Sequence, residues 1–396
     1  MDRKHRWRLI ALAAVALLVA GLAAGFRFVL PDIVAARYNP VSGGGQDANE
    51  AARRLHATLA VVDLHSDALL WSRDLAARGQ HGHVDLPRLL EGGVALQVFS
   101  AVNQVPLGLN IERNRADGFD QLGLLVAAQG WPPRTWRSPL QRALYQAERL
   151  RALAAGSEGR LRIATTAAEL PSPSAAPAGA VVGMLAIEGG QALEGELANV
   201  ERLHAAGYRM IGLVHFFDNE IGGSAHGLAK GGLTGFGAEV IRRMEALGMA
   251  VDLAHASEPL FRNVAAQATR PLVVSHSGVR GTCDNARNLS DEMLELVAAS
   301  GGLVGIGFWP TAVCGDGPEA IARAIHYAAD RIGVAHVALG SDFDGAVATP
   351  FDAAGLPALT GALLAAGFHA GEVSAIMGGN ALRVLRELLP AAGPGV

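Results

Sequence analysis

Two side chains able to ligate a metal, His65 and Asp67, close the apolar run Val61-Val62-Asp63-Leu64-His65-Ser66-Asp67, one residue apart. On an extended strand alternate residues share a face, so both project together from the strand end. Alone, such a pair reads as a strand edge turning into a loop, because short motifs carry a real false-positive risk. The same design recurs, however. Ala180 to Ile187 runs into Glu188-Gly189-Gly190, Tyr208 to Val214 into His215, and Met249 to Ala254 into His255. Pro271 to Ser275 runs into His276, and His336 to Ser341 into Asp342. Each has an ordinary reading: a buried structural histidine, a helix-capping carboxylate, or turn chemistry in Ser341-Asp342-Phe343-Asp344-Gly345. Those readings are independent, and their coincidence at the ends of so many β-rich runs points to a site. A His/Asp/Glu set without thiolates suits one or two divalent metals that polarise water, zinc first among them. Glu188 has two oxygens and can bridge two ions ~3.5–4 Å apart that share a hydroxide nucleophile.

The elements that must position these residues follow a regular order. Runs at 60–66, 94–100 and Gly302 to Gly307, the last ending near Phe308 and Trp309, bring the expected strands to eight. Helical stretches separate them, among them Thr234 to Leu247 and Ser290 to Ala299, each opening on an N-cap residue. Asp85-Leu86-Pro87-Arg88-Leu89-Leu90 reads as a short helix, and Asp47 with Glu50 resembles a capping box for a helix reaching Leu59. This alternation predicts an α/β fold, a parallel (β/α)8 TIM-type barrel, with the active site at the C-terminal ends of the strands. Residues 110–170 form a polar, Ala-rich, helical excursion to which no chemistry is assigned. His81 and His83 sit in a Gly-rich loop and read as solvated.

The 396 residues are ample for one such domain. A formal charge of −4, with no basic block after residue 8, gives no support for nucleic-acid binding. Cys283 and Cys314 are the only cysteines, which excludes a thiolate zinc site and a disulfide-rich scaffold. Arg3, Lys4, Arg6 and Arg8 precede an uncharged stretch from Leu9 to Phe26. At ~1.5 Å per residue it gives ~27 Å, enough to cross a bilayer core, and the positive flank predicts export of the remainder of the chain. The length favours an uncleaved anchor over a cleaved signal peptide. The expected organisation is therefore an anchor over 1–30, a linker over 31–46 containing Ser42-Gly43-Gly44-Gly45, a barrel over 47–390, and a tail over 391–396.

The chain resembles the membrane dipeptidase (renal dipeptidase) family of binuclear zinc peptidases. The matching blocks include VVDLHSDALLW at 61–71, AIEGGQAL at 186–193, LVHFFDNEIGGSAHG at 213–227, GLTGFGAEVIRRMEALGMAVDLAHAS at 232–257, PLVVSHSGVRGTCDNARNLSDEML at 271–294 and LGSDFDG at 339–345. The resemblance implies two zinc ions, with His65 and Asp67 on one, His255 and His276 on the other, and Glu188 bridging both. It implies His215 at the substrate carbonyl, Arg287 at the substrate carboxylate and Asp342 as the proton-transferring acid/base, with Asp344 shaping the loop. It also implies dipeptide hydrolysis by a metal-bridging hydroxide, with tolerance of a D-residue at the C-terminal position. Strand order sets the loops of Cys283 and Cys314 side by side; the resemblance also points to a disulfide there, the alternative being two buried thiols.

Where family members carry a tyrosine that touches substrate, this chain has Thr311-Ala312-Val313, which affects side-chain specificity rather than hydrolysis. The mammalian enzymes are held by a C-terminal lipid, whereas residues 390–396 offer no hydrophobic tail. A bacterial inner-membrane protein with its catalytic domain in the periplasm fits these features, the alternative being secretion after signal cleavage. The expected partners are a dipeptide and a membrane; a homodimer is an allowed assembly. Competing readings are a related metal amidohydrolase or lactonase, and a non-catalytic peptide-binding barrel. Arg287 discriminates among the enzymes, because a free substrate carboxylate calls for a fixed guanidinium.

Overall fold

A computed structural model of the chain describes residues 2–43, 48–172 and 179–391. Its sheet consists of β1 (Val61–Ser66), β2 (Val94–Val102), β3 (Leu161–Ile163), β4 (Val181–Glu188), β5 (Tyr208–Gly212), β6 (Ala250–Asp252), β7 (Val273–Ser277), β8 (Leu303–Ile306) and β9 (Val337–Leu339). All pairings between these strands are parallel. β1 lies between β2 and β9, and β2 also pairs with β4, so eight strands close a barrel. The expected (β/α)8 architecture is thus present. Nearly every strand residue is buried, because one face looks into the barrel and the other meets the helical layer.

β3 is the departure. It lies inside the excursion expected to be helical and pairs with Val181–Gly183 of β4, on the edge that β5 takes from Leu185 onward. Elsewhere in the excursion the helices Leu122–Ala128 and Pro139–Gly156 form as expected. The helix after the linker runs from Glu50 to His56, short of Leu59, and is capped by Asn49, whose side chain accepts from the Ala52 amide. Asp47 lies outside the described residues. The other caps are the expected ones: Asp85 accepts from Arg88 N, Thr234 from Gly237 N and Ser290 from Met293 N. Inside the barrel Val62, Leu64, Leu96, Val98 and Met184 pack with Leu382, Leu385 and Leu388 of the helix Asn380–Leu388, which closes the end where the strands begin. The opposite mouth is left for chemistry.

The N-terminal helix runs from Arg3 to Tyr38, with a π-helical turn at Gly25–Val29, and is long and apolar enough to cross a membrane. Its last turns dock on the domain. Pro31 and Ala35 are buried, and Ala35 packs with Trp71, Val102, Leu122 and Trp131.

Cys283 and Cys314 are joined, with Cα atoms 5.2 Å apart. The crosslink spans 31 residues and ties the loop after β7 to the loop after β8. In the chain-entropy model a loop of that size contributes about 3–4 kcal/mol, less any native-state strain. Alkylation without reductant followed by mass spectrometry is expected to label neither thiol; two labelled thiols in oxidised protein would refute the crosslink.

Candidate active site

β1 ends with His65 buried and Asp67 just beyond it, their Nε2 and Oδ1 atoms 3.5 Å apart. Glu188 closes β4. Its Oε1 lies 3.6 Å from His65 Nε2, 3.4 Å from His215 Nε2, 3.2 Å from His255 Nε2 and 3.4 Å from His276 Nε2. One carboxylate therefore faces four imidazoles delivered by β1, β5, β6 and β7. His255 and His276 bring their Nε2 atoms to 3.1 Å from each other. Asp342 stands 4.0 Å from His65 and completes a third group of close donors with His65 and Asp67. All the residues expected at the site are brought together at one mouth.

These donors fit divalent cations. His65 Nε2 and Asp67 Oδ1 are buried without a hydrogen-bond partner, a costly state for groups this polar. Burial, the largest cause, holds His215, His255 and His276 well below the usual histidine range, so the rings are neutral, and His255 and His276 each keep a lone pair for a metal. Burial likewise raises the acids: Glu188 well above the carboxylate range, with Asp67 as the next cause, and Asp342 to about 8. Crowded buried carboxylates and facing imidazole lone pairs both call for positive charge between them.

Behind the donors are residues the sequence reading did not single out. Asp252 accepts from Ser275 Oγ at 2.6 Å, and Ser275 Oγ stands 2.9 Å from His276 Nδ1, which leaves His276 Nε2 directed at the cluster. Asp63 plays the matching part on β1, accepting from Ser341 Oγ at 2.6 Å and from Gln97 Nε2 at 2.8 Å. Ser341 Oγ also lies 3.0 Å from the His65 carbonyl. The signal for both acids was present in the period-2 spacing Asp63-His65-Asp67 and in the repeated Val-Asp-Leu of 62–64 and 251–253. Arg287 is buried, donates from Nη2 to the His276 carbonyl at 2.8 Å, and lies 5.3 Å over the Trp309 ring. Burial lowers its pKa to about 10, which leaves it charged.

The loop carrying Asp342 is conformationally costly. Asp342, Asp344 and Ala346 all have φ near +60°, a region non-glycine residues seldom occupy unless their surroundings impose it. Gly340 admits the loop to the site, since a Cβ there would stand 1.9 Å from the Ser275 carbonyl. Asp344 is fully buried and accepts from the His83 amide at 2.9 Å, the Val84 amide at 3.1 Å and Arg73 Nη2 at 2.5 Å. The reading of His83 as solvated is therefore corrected. His83 is completely buried; its Nδ1 accepts from the Asp344 amide and its Nε2–H donates to the Pro40 carbonyl. His81 is half-buried beside Asp32, 3.2 Å away. What the spacing could not show is that the loop of residues 71–85 brackets the loop of residues 342–346.

The chain before the barrel completes the bracket. Asn39, 1% exposed, accepts from the Ala346 amide at 2.9 Å, and the Pro40 carbonyl accepts from the Thr349 amide at 3.2 Å. Asn39→Ala is expected to lower kcat about tenfold, equivalent to one buried hydrogen bond of ~1.4 kcal/mol lost from the arrangement holding Asp342. Metal content and KM should be unchanged; a drop in melting temperature with kcat intact would assign Asn39 to stability alone.

The membrane dipeptidase family model (peptidase family M19) matches residues 49–392. Dipeptidase verJ from Clonostachys rogersoniana is 28% identical over 350 residues, 84% of this chain and 85% of that protein. The crystal structure of a metallopeptidase of family M19, dipeptidase AC, superposes with a TM-score of 0.68 at 29% identity, covering 85% of this chain and all of that one. A metallopeptidase from Rhodobacter sphaeroides, solved with a phosphinate mimic of the dipeptide L-Ala-D-Ala, gives 0.67 at 28% identity, covering 84% of this chain and 99% of that one.

Proposed function

The chain belongs to the membrane dipeptidase family and is a metallo-dipeptidase, and from that premise we propose how its residues divide the work. The observation that carries the reading is Glu188 facing four imidazoles at one barrel mouth, beside a buried Arg287. His65, Asp67, Glu188, His255 and His276 would hold two divalent ions, zinc by donor type. Such ions, when bound, would supply Lewis acidity, polarising the scissile carbonyl and activating the attacking water. His215 binds the carbonyl oxygen. Asp342 takes the proton from the nucleophile and passes it to the departing amine. Arg287 pairs with the terminal carboxylate, which confines activity to dipeptides, since longer chains have no carboxylate at that distance. Tolerance of a C-terminal D-residue is supported by the mimic bound to the Rhodobacter protein.

Hydrolysis of a dipeptide panel, with and without chelator and including L-Ala-L-Ala and L-Ala-D-Ala, tests the reading. Chelator-sensitive cleavage of dipeptides but not tripeptides is expected. Cleavage of N-acyl amino acids or lactones in their place would overturn it. Arg287→Ala is expected to raise KM by roughly 10- to 100-fold with a smaller change in kcat, the weight of a charge-assisted hydrogen bond of ~1.5–3 kcal/mol made equally in ground and transition states. An unchanged KM would remove Arg287 from substrate binding.

We further propose that the Arg3–Tyr38 helix is a retained anchor holding the domain on the periplasmic side of a bacterial inner membrane. The protein should then remain with membranes after carbonate extraction. A soluble active form is better sought by cutting before Pro31 than after residue 40, because the later cut removes buried Ala35 and Asn39.

A further inference from the structure

Segment 105–137, which carries no catalytic group, displays large apolar side chains to solvent. Leu107, Phe119 and Leu124 are each about 60% exposed (67%, 58% and 58%), and Trp136 is 44% exposed. Their backbones lie close together. The Leu107 amide donates to the Phe119 carbonyl, Gln121 returns a bond to Val105, and the helix Leu122–Ala128 begins directly after this hairpin. Trp136 adjoins the same helix, its carbonyl 2.6 Å from where a Cβ on Gly123 would stand. Soluble surfaces seldom display such a cluster without a partner.

The identity of the partner comes from the position of the segment. The helix Leu122–Ala128 packs against both Gly25–Val29 and Leu30–Tyr38, the stretch where the apolar N-terminal helix ends. The Arg27 guanidinium closes on Gly130 so tightly that a Cβ there would stand 2.2 Å from it. Residue 27 lies one position beyond the apolar stretch Leu9–Phe26, so Gly130 and its neighbours sit at the level where that stretch leaves a bilayer. Arg113 and Arg137, both exposed, make no ion pair among the described residues, and arginines and tryptophans suit the headgroup layer. We propose that segment 105–137 is a second membrane contact, seating Leu107, Phe119, Leu124 and Trp136 in the interfacial layer of an anionic bilayer beside the anchor. The segment also packs on the last turns of the anchor through Leu122 and Trp131, so the contact would hold the catalytic mouth close to the lipid surface. This inference rests on the reading of residues 3–30 as a retained anchor.

The test uses the full chain in nanodiscs of phosphatidylcholine with phosphatidylglycerol. The native cysteines are paired, so a nitroxide can be placed singly through Phe119→Cys, Leu124→Cys, or the exposed Ala370→Cys, which lies beyond the helix returning from β9 to the face where the strands begin. Dipeptidase activity verifies that each variant is folded. Collision ratios of oxygen to a water-soluble nickel chelate are expected to be several-fold higher at 119 and 124 than at 370. Aqueous ratios at all three positions, in protein that still resists carbonate extraction, would overturn the contact while leaving the anchor intact. Shielding from both reagents at 119 and 124 would assign the patch to a second copy of the chain and also overturn it. A mature N-terminus near residue 25 would instead remove the anchor on which the proposal rests.

Discussion

Asp342→Asn is expected to keep its bound metals and lose roughly 10²–10⁴-fold in turnover, the range typical of a positioned general acid–base group. The substitution preserves shape and a hydrogen-bonding oxygen, so the loop of residues 342–346, held by His83 and Asn39, should keep its fold. What it removes is a group that can accept a proton and then return it. The discriminating readout is metal content against kcat. A variant with full metal and greatly reduced kcat supports proton transfer; a variant that loses metal would make Asp342 a ligand, as its 4.0 Å approach to His65 permits. Full activity with metal bound would end the assignment.

Glu188→Ala is expected to have the larger effect on the metals. Its Oε1 lies within 3.6 Å of four imidazole nitrogens, so truncation removes the carboxylate that faces all of them. On the proposed ligand set, truncation would leave less negative charge at the mouth to hold cations, because the histidines that remain are neutral. Loss of several kcal/mol of transition-state stabilisation corresponds to a fall of ~10³-fold or more. Metal analysis after dialysis should show fewer than two ions per chain, and adding zinc should restore little activity. Glu188→Ala protein that retained two ions and normal turnover would show that the carboxylate does not bridge.

Much of this protein is legible in one dimension because parallel barrels repeat a local rule. Each strand is an apolar run, and the mouth gathers whatever stands where the run stops, so His65, Glu188, His215, His255, His276 and Asp342 could be read from the ends of their runs without knowing a single contact. The N-caps Thr234 and Ser290 were legible for the same reason, since a cap bonds only two or three residues away. The length and apolarity of the N-terminal helix are also properties of sequence alone.

Long-range closure decided the rest. Asp63 looked like one more polar residue in a strand until Ser341, 278 residues later, donated to it. Asp252 acquired its role through Ser275. His83 reads as a loop histidine because its loop is glycine-rich; it is buried because Asp344, 261 residues away, and Pro40 occupy both of its nitrogens. β3 has only three residues, too few for a periodic signal, and exists because β4 leaves the edge of Val181–Gly183 open before β5 begins to pair. Local pattern could name the groups that meet at the mouth, because strand ends are marked by where hydrophobicity stops. It could place Asp63 and Asp252 on strands that end at the mouth but could not name the partners Ser341 and Ser275, because a buried hydrogen bond is satisfied by proximity in space and not by spacing along the chain.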